Sequence, residues 1–252
     1  MQSNQKIILF FAITASSLIP VGQVTNVFAY QQNDSNDSQN NFLKTNTGTH
    51  PKAKFCTVKL TPKTDLSNCQ TFSLSIHGKN LSGSNLSGSV FMNADLFGVN
   101  LSDANLKNIN LRGAVLANSN LSGADLRGAD LRYVDFYHVN LTGADLRGSD
   151  TTGARFPGVN FTGANLQGLV LSHNSAQAAS FQNANLQDAD ISCAELLNSD
   201  FTGANLQNTD FRNSDLTGGS LAGANLVGAN INGLETAGAD LSCYGNLVCK
   251  GY

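Results

Sequence analysis

Leu121-Ser122-Gly123-Ala124-Asp125-Leu126-Arg127-Gly128-Ala129-Asp130-Leu131 sets the terms for most of this chain. A large apolar residue returns at every fifth position, a small residue stands two places before it, and Asp or Asn lies between them. A period of five fits neither the 3.6-residue turn of an α-helix nor the plain alternation of a strand. The repeat therefore has to be settled before secondary structure. The frame runs from about Leu74 to Cys243 without insertion or deletion. From Ile76 to Leu241 every central position holds Leu, Ile or Phe, apart from Thr151, Ala176 and Thr236. Centre and small residue differ by two positions, so in extended backbone both face an interior while the residue between them faces out.

The pattern A-[D/N]-[L/F]-x-x, as in Ala124-Asp125-Leu126-Arg127-Gly128 and Ala204-Asn205-Leu206-Gln207-Asn208, resembles the pentapeptide-repeat family over about two thirds of the chain. The resemblance implies an all-β fold, a right-handed quadrilateral parallel β-helix with four pentads per coil and about eight coils. Residues twenty apart then stack on one face. Sorting the centres by that interval gives four interior columns, one of which is Leu from Leu86 through Leu226 without exception. Phe161, Phe181 and Phe201 fall together in a second column, and Phe136 and Phe156 in a third. Stacked rings add about 0.5–1.5 kcal/mol per pair beyond area burial.

One place breaks the frame chemically. Asn174-Ser175-Ala176-Gln177-Ala178 puts Asn at a small inward position and Ala at a centre, with Thr151 and Pro157 nearby in the fold. A buried Asn needs partners, so the expectation is a local bulge or a bound water, with a cavity beside Ala176.

The ends differ from the middle. Lys6 precedes the apolar run Ile7–Ile13, and Val27-Phe28-Ala29 offers a cleavage site, so residues 1–29 read as a secretory signal peptide. An uncleaved anchor is the rival reading, against which the run is short for a span of about 20 residues. Residues 30–54 form a polar linker with too little apolar content for a core. Residues 55–73 read as an N-terminal cap stapled by Cys56 and Cys69. Residues 74–243 are the repeat, and 244–252 a C-terminal cap where Cys243 and Cys249 pair. Open solenoid ends need covering. Cys193 is the odd cysteine, outward-facing and too far round the coil from an outward Cys243 to reach it, hence a free thiol. The localisation expected is an extracytoplasmic compartment.

Composition narrows the function. The 252 residues carry 15 basic and 18 acidic side chains, a net of −3, which suggests no nucleic-acid partner. The histidines (His50, His77, His138 and His173) are scattered, and no metal spacing, phosphate loop or catalytic triad emerges. We therefore expect no enzyme, no cofactor and no metal. Asp125 with Arg127 and Asp145 with Arg147 read as a compensated ion-pair ladder, and the stacked pairs Asp130–Asp150 and Asp190–Asp210 as repeat consensus. Asn80, Asn100, Asn120, Asn140 and Asn160, each followed by a Ser or Thr two residues on, make a polar stripe, a minor candidate for surface binding or glycosylation.

The face that stands apart carries Phe97, Tyr137, Pro157 and Leu197 beside Asp95, Asp135 and Glu195. An apolar ridge with an acidic border is the best candidate for a protein partner or for self-association. Some members of the resembled family mimic DNA and bind topoisomerases. That role needs a cytoplasmic location and a strongly negative surface, against only 15 acidic and 8 basic residues between 74 and 243.

Overall fold

The computed structural model describes residues 59–72 and 74–249. The pentad is a turn-forming unit. In Asp125–Ala129 the Asp125 carboxylate accepts the backbone N–H of Arg127 at 3.4 Å, the local side-chain bond that suits Asp and Asn to turns. Leu126 is fully buried, and the Ala129 N–H closes a β-turn on the Leu126 carbonyl at 3.0 Å. Gly128, third in that turn, has φ +67°, the left-handed conformation a type II turn requires. Asn108 and Asn118 take the same place at φ +54° and +59°. The consensus is thus a turn consensus with an apolar anchor.

Coils join through the residue just before each centre. Leu106 N–H donates to the Asp125 carbonyl at 2.8 Å, and Asp125 N–H donates back to Ala104 at 3.0 Å. Such parallel bridges join residues twenty apart, from Asp65↔Asn85 to Ser220↔Asp240. Among the described residues they lengthen into a strand pair only at β1 (Gln70–Phe72) and β2 (Val90–Met92), in the register Gln70↔Val90. Four turns in every twenty residues make the coil four-sided.

The interior is filled as the columns require. Phe181 stacks between Phe161 and Phe201, with ring centroids at 4.9 and 4.5 Å and planes 12° and 3° from parallel. Phe136 and Phe156 stack at 4.9 Å. Phe156–Phe161 and Phe201–Phe211 contacts then tie neighbouring columns together at 5.5 and 5.7 Å.

Three expectations need correction. The segment expected to cap the N-terminal end already belongs to the coil from Asp65 onward: Asp65 pairs with Asn85, and Leu66 is fully buried in phase with the later centres. Thr71, buried at a central position, hid that phase in the sequence.

At Asn174 there is no bulge. Ser175 keeps its register with both Arg155 and Glu195, and the Asn174 amide donates to the Thr151 carbonyl at 3.1 Å. The irregularity lies one side away. There the Thr151 hydroxyl bonds the Val170 carbonyl, and among the described residues no bridge joins Asp150 to Val170.

Near the C-terminal end Asn225 pairs with Tyr244, so the last coil is one residue short. That shift turns Cys243 inward, fully buried rather than outward-facing, where it forms a disulfide with Cys249. Cys69 is disulfide-bonded; its expected partner Cys56, the signal segment and the polar linker lie outside the described residues.

Candidate functional site

The turn geometry decides which side chains are free to act. In each pentad the Asp or Asn oxygen caps the following turn, so most of the acidic and amide groups on the surface are already engaged. The face of Leu126 shows this fully. Arg127 clasps Asp125 with Nε and Nη2 at 2.8 and 2.7 Å, and its Nε lies 3.6 Å from Asp145. Arg147 clasps Asp145 at 2.7 Å, and Lys107 reaches Asp125 at 3.1 Å. The Arg127 hydrogen bond is the largest cause holding the Asp125 carboxyl far below its ordinary range, and Arg147 lowers Asp145 in the same way. This is a charge ladder that satisfies itself.

Asp130 repeats the arrangement with Arg132 at 2.6 Å, and Asp210 with Arg212 at 2.7 Å. The amide stripe also closes on itself: Asn120 donates to Asn100 at 3.3 Å and Asn140 to Asn120 at 3.1 Å. Among the described residues, no group of three His, Cys, Asp or Glu side chains is placed to hold a metal ion.

The face carrying Phe97 and Tyr137 is less self-contained. One ladder runs along it as Ser75, Asp95, Val115, Asp135, Arg155, Ser175 and Glu195. The structure thus places Asp95, Asp135 and Glu195 on one line, with Phe97, Tyr137, Pro157 and Leu197 on the neighbouring line two residues on. Phe97 and Tyr137 are each 46% exposed, whereas Pro157 and Leu197 are half-buried. His77 lies 2.5 Å from Asp95 and edge-on to the Phe97 ring, with centroids 6.0 Å apart. The Tyr137 ring meets the His138 ring at 4.1 Å. Asp135 accepts the Tyr137 N–H at 3.2 Å and has no ion-pair partner among the described residues. Glu195 accepts from Gln177 at 3.1 Å.

Sequence reasoning passed over Val115, a 38% exposed apolar residue standing where the repeat prefers Asp or Asn. That departure from consensus was the available signal. Cys193 carries a free thiol at a turn position with φ +55° and is half-buried.

Charge is unevenly shared along the repeat. Arg212 is the only basic residue between 181 and 249, while the acids Asp188, Asp190, Glu195, Asp200, Asp210 and Asp215 fall there, with Glu235 and Asp240 beyond them. The coils before residue 181 balance acid with base. Among the described residues no helix is long and apolar enough to cross a membrane.

Several solved structures are similar to this chain. HetL, a pentapeptide repeat protein involved in heterocyst differentiation regulation from the cyanobacterium Nostoc, is 26% identical, with 72% of this chain and 88% of that one covered and a TM-score of 0.37. A thylakoid-lumen pentapeptide repeat protein from Arabidopsis thaliana is 29% identical over 42% of this chain and 71% of its own, at a TM-score of 0.37. QnrB1, a plasmid-mediated fluoroquinolone resistance protein, is 21% identical over 68% and 92%, at a TM-score of 0.39. No curated protein matches the chain. The assignment rests instead on the repeat itself. The pentapeptide-repeat family model matches in 8 copies, over residues 80–113, 109–148, 140–173, 179–218 and 207–242. With more than half the chain so matched, it belongs to the pentapeptide-repeat family.

Proposed function

We propose that this protein is an exported, non-enzymatic scaffold that binds a protein partner through the face of Phe97 and Tyr137. The observation that carries the reading is two half-exposed aromatic rings beside Asp135, a carboxylate with no cation of its own among the described residues. On the faces of Leu126 and Leu131 the carboxylates Asp125, Asp130 and Asp145 are clasped by arginines, and the apolar residues of the coils are mostly spent on the interior. The partner's matching surface is apolar with a basic border. Export rests on the leader pattern of residues 1–29 and on the Cys243–Cys249 disulfide, a bond that persists in oxidising compartments. The rod carrying the face is, in this reading, a right-handed stack of about eight four-pentad coils.

A duplex-mimicking topoisomerase ligand is the competing reading. It calls for continuous negative charge along the rod, whereas the coils before residue 181 are balanced by the Arg127, Arg132 and Arg147 ladders. Fractionation separates the two, since the mimic requires the protein to remain in the cytoplasm. The binding reading is tested by capture from envelope and secreted fractions with wild type and with Phe97→Ser/Tyr137→Ser. Loss of the captured partner in the double variant supports it; unchanged capture and unchanged self-association remove it.

A further inference from the structure

The last coil is held from one side only. In the coil before it, the N–H groups of Phe211, Asn213 and Leu216 donate to the carbonyls of Asn230, Asn232 and Glu235. The corresponding N–H groups of Ile231, Gly233 and Thr236 find no acceptor among the described residues.

This open coil holds the only Asn-Gly pair of the chain, Asn232-Gly233. Both residues are exposed. Asn232 is engaged through its backbone: its N–H donates to Asn230 Oδ1 at 3.3 Å, and its carbonyl accepts the Asn213 N–H at 3.0 Å. Its side-chain amide has no hydrogen bond among the described residues. The two residues are the centre of a turn that the Leu234 N–H closes on the Ile231 carbonyl at 3.1 Å, with Gly233 at φ +75°. Glycine has no Cβ to shield its nitrogen, and that nitrogen closes a five-membered ring if it bonds the Asn232 side-chain carbon.

We propose that Asn232 is a site of spontaneous deamidation, where a glycine follower and a backbone nitrogen outside the ladder coincide. The Gly233 nitrogen gives its proton to solvent base and forms a bond to Asn232 Cγ. The Cγ–Nδ2 bond breaks and ammonia leaves. Water then opens the resulting succinimide at either carbonyl, giving aspartate or isoaspartate. Water is the sole co-reactant, and no electrons are exchanged with another species.

The fold decides which other asparagines are spared. Asn118, Asn198 and Asn213 also precede a small residue, but the N–H groups of Ser119, Ser199 and Ser214 close turns on Leu116, Leu196 and Phe211 at 2.9, 3.0 and 3.2 Å. Asn174 is buried, with its amide on the Thr151 carbonyl. At Asn232 the peptide rotates into reach once the turn bond of Leu234 opens. In an inner coil the ladder bond of that same N–H would have to break as well. One bond fewer makes the opening about five-fold more frequent.

The products differ in what they do to the coil. Arg212 lies one coil below on the same line, about 5 Å away between backbones, and already clasps Asp210 at 2.7 Å. Aspartate at 232 adds a second carboxylate beside that guanidinium. Isoaspartate lengthens the backbone by one carbon and breaks the five-residue frame.

The test follows the full chain over time at neutral and mildly alkaline pH, reading each asparagine-bearing peptide by mass spectrometry for the one-dalton gain of deamidation. Among the described asparagines, Asn232 is expected to convert first, faster at the higher pH, into chromatographically separate aspartyl and isoaspartyl forms. Its rate should lie within about five-fold of that in the free peptide acetyl-Asn-Ile-Asn-Gly-Leu-Glu-amide, the margin set by one turn bond. Gly233→Asn should remove the Asn232 product from the same time course. That variant keeps the turn, since Asn213 holds the place below it at φ +57°. An added Cβ meets first the flexible Asn213 side chain, and Asn208 over Asp188 shows that two such side chains stack. Asn232 left intact while the peptide converts overturns the proposal. So does equal conversion at Asn118, Asn198 or Asn213, or a Gly233→Asn variant that deamidates as fast as wild type.

Discussion

The side-chain amide of Asn174 donates to the backbone carbonyl of Thr151, 3.1 Å away and one coil below. Thr151 in turn uses its hydroxyl on the Val170 carbonyl. These two buried polar side chains thus each bond a backbone carbonyl, and among the described residues no buried side-chain polar atom is left unsatisfied. The ladder gives way beside them: the N–H groups of Gly148, Thr151, Gly153 and Val170 find no acceptor among the described residues, whereas their counterparts in the next coils do.

That seam should be the first place the solenoid opens. Amide exchange at Thr151, Gly153 and Val170 is expected to outpace exchange at Leu131 and Ile191, which occupy the same column with intact bonds to Asp150 and Asp210. Asn174→Ala should cost about 1 kcal/mol, the net value of one hydrogen bond. The Thr151 carbonyl still accepts the Ala154 N–H at 2.9 Å, so the loss stays at that level. Equal exchange across the column, measured by NMR, would remove the idea of a weak seam.

The turn glycines separate a conformational cost from a steric one. Gly143 and Gly153 have nearly the same φ, +67° and +68°. An added Cβ meets nothing within 4 Å at Gly143, but at Gly153 it comes within 2.7 Å of the Tyr133 ring. Gly143→Ala should cost about 1 kcal/mol for the left-handed conformation alone. Gly153→Ala should cost more, because it must also displace a ring that Arg112 covers at 5.5 Å. Tyr133→Ala in the Gly153→Ala background should recover the excess. Denaturation midpoints of the four variants test this, and equal losses at Gly143 and Gly153 would contradict it.

Acid sensitivity should trace to the charge ladder. Asp125, Asp130, Asp145 and Asp210 are each held below the ordinary carboxylate value of 3.8, primarily by hydrogen bonds from Arg127, Arg132, Arg147 and Arg212. With folded-state values depressed, the unfolded chain takes up protons first as pH falls. The contribution is therefore complete above the unfolded value of about 4 and is lost progressively below it. Asp125→Asn/Asp145→Asn keeps the turn-capping oxygens but removes the charge. The double variant should show a flatter loss of stability between about pH 4 and 2 than wild type. Parallel acid profiles would show that the ladder carries no linkage.

Much of the fold was legible because the repeat signals at two levels. Leu126 recurs by fives, and Phe161, Phe181 and Phe201 recur by twenties, which locates both the turn and the coil. The Thr151–Asn174 region was legible as a disturbance and was misread in form. Sequence marks a polar residue at an inward place, but only coordinates show that its amide reaches the coil below without shifting register. The shortened last coil was illegible, since counting by fives puts Cys243 at an outward turn and one missing residue leaves no compositional trace. On the candidate face, Phe97 and Tyr137 announced themselves as apolar residues at outward places.

The Phe161–Phe181–Phe201 stack supplies the sharpest energetic test of the interior. Phe181 has a parallel ring on each side, at 4.9 and 4.5 Å, so Phe181→Leu removes two stacked contacts while keeping a side chain the column type accepts. The ring–ring part of the loss should be about 1–3 kcal/mol, two pairs at 0.5–1.5 each. Phe181→Ala should cost about 3–5 kcal/mol, because the coils above and below hold their spacing and cannot close the void. Pairing Phe161→Leu with Phe181→Leu isolates one contact, and the coupling energy from the four chemical-denaturation curves should be about 0.5–1.5 kcal/mol. The rings of Phe161 and Phe201 touch Phe181 but not each other across it, so the cycle between those two should show weaker coupling. Equal coupling in both cycles would mean that the column relaxes as a unit, and the stack could not then be treated as a sum of neighbouring pairs.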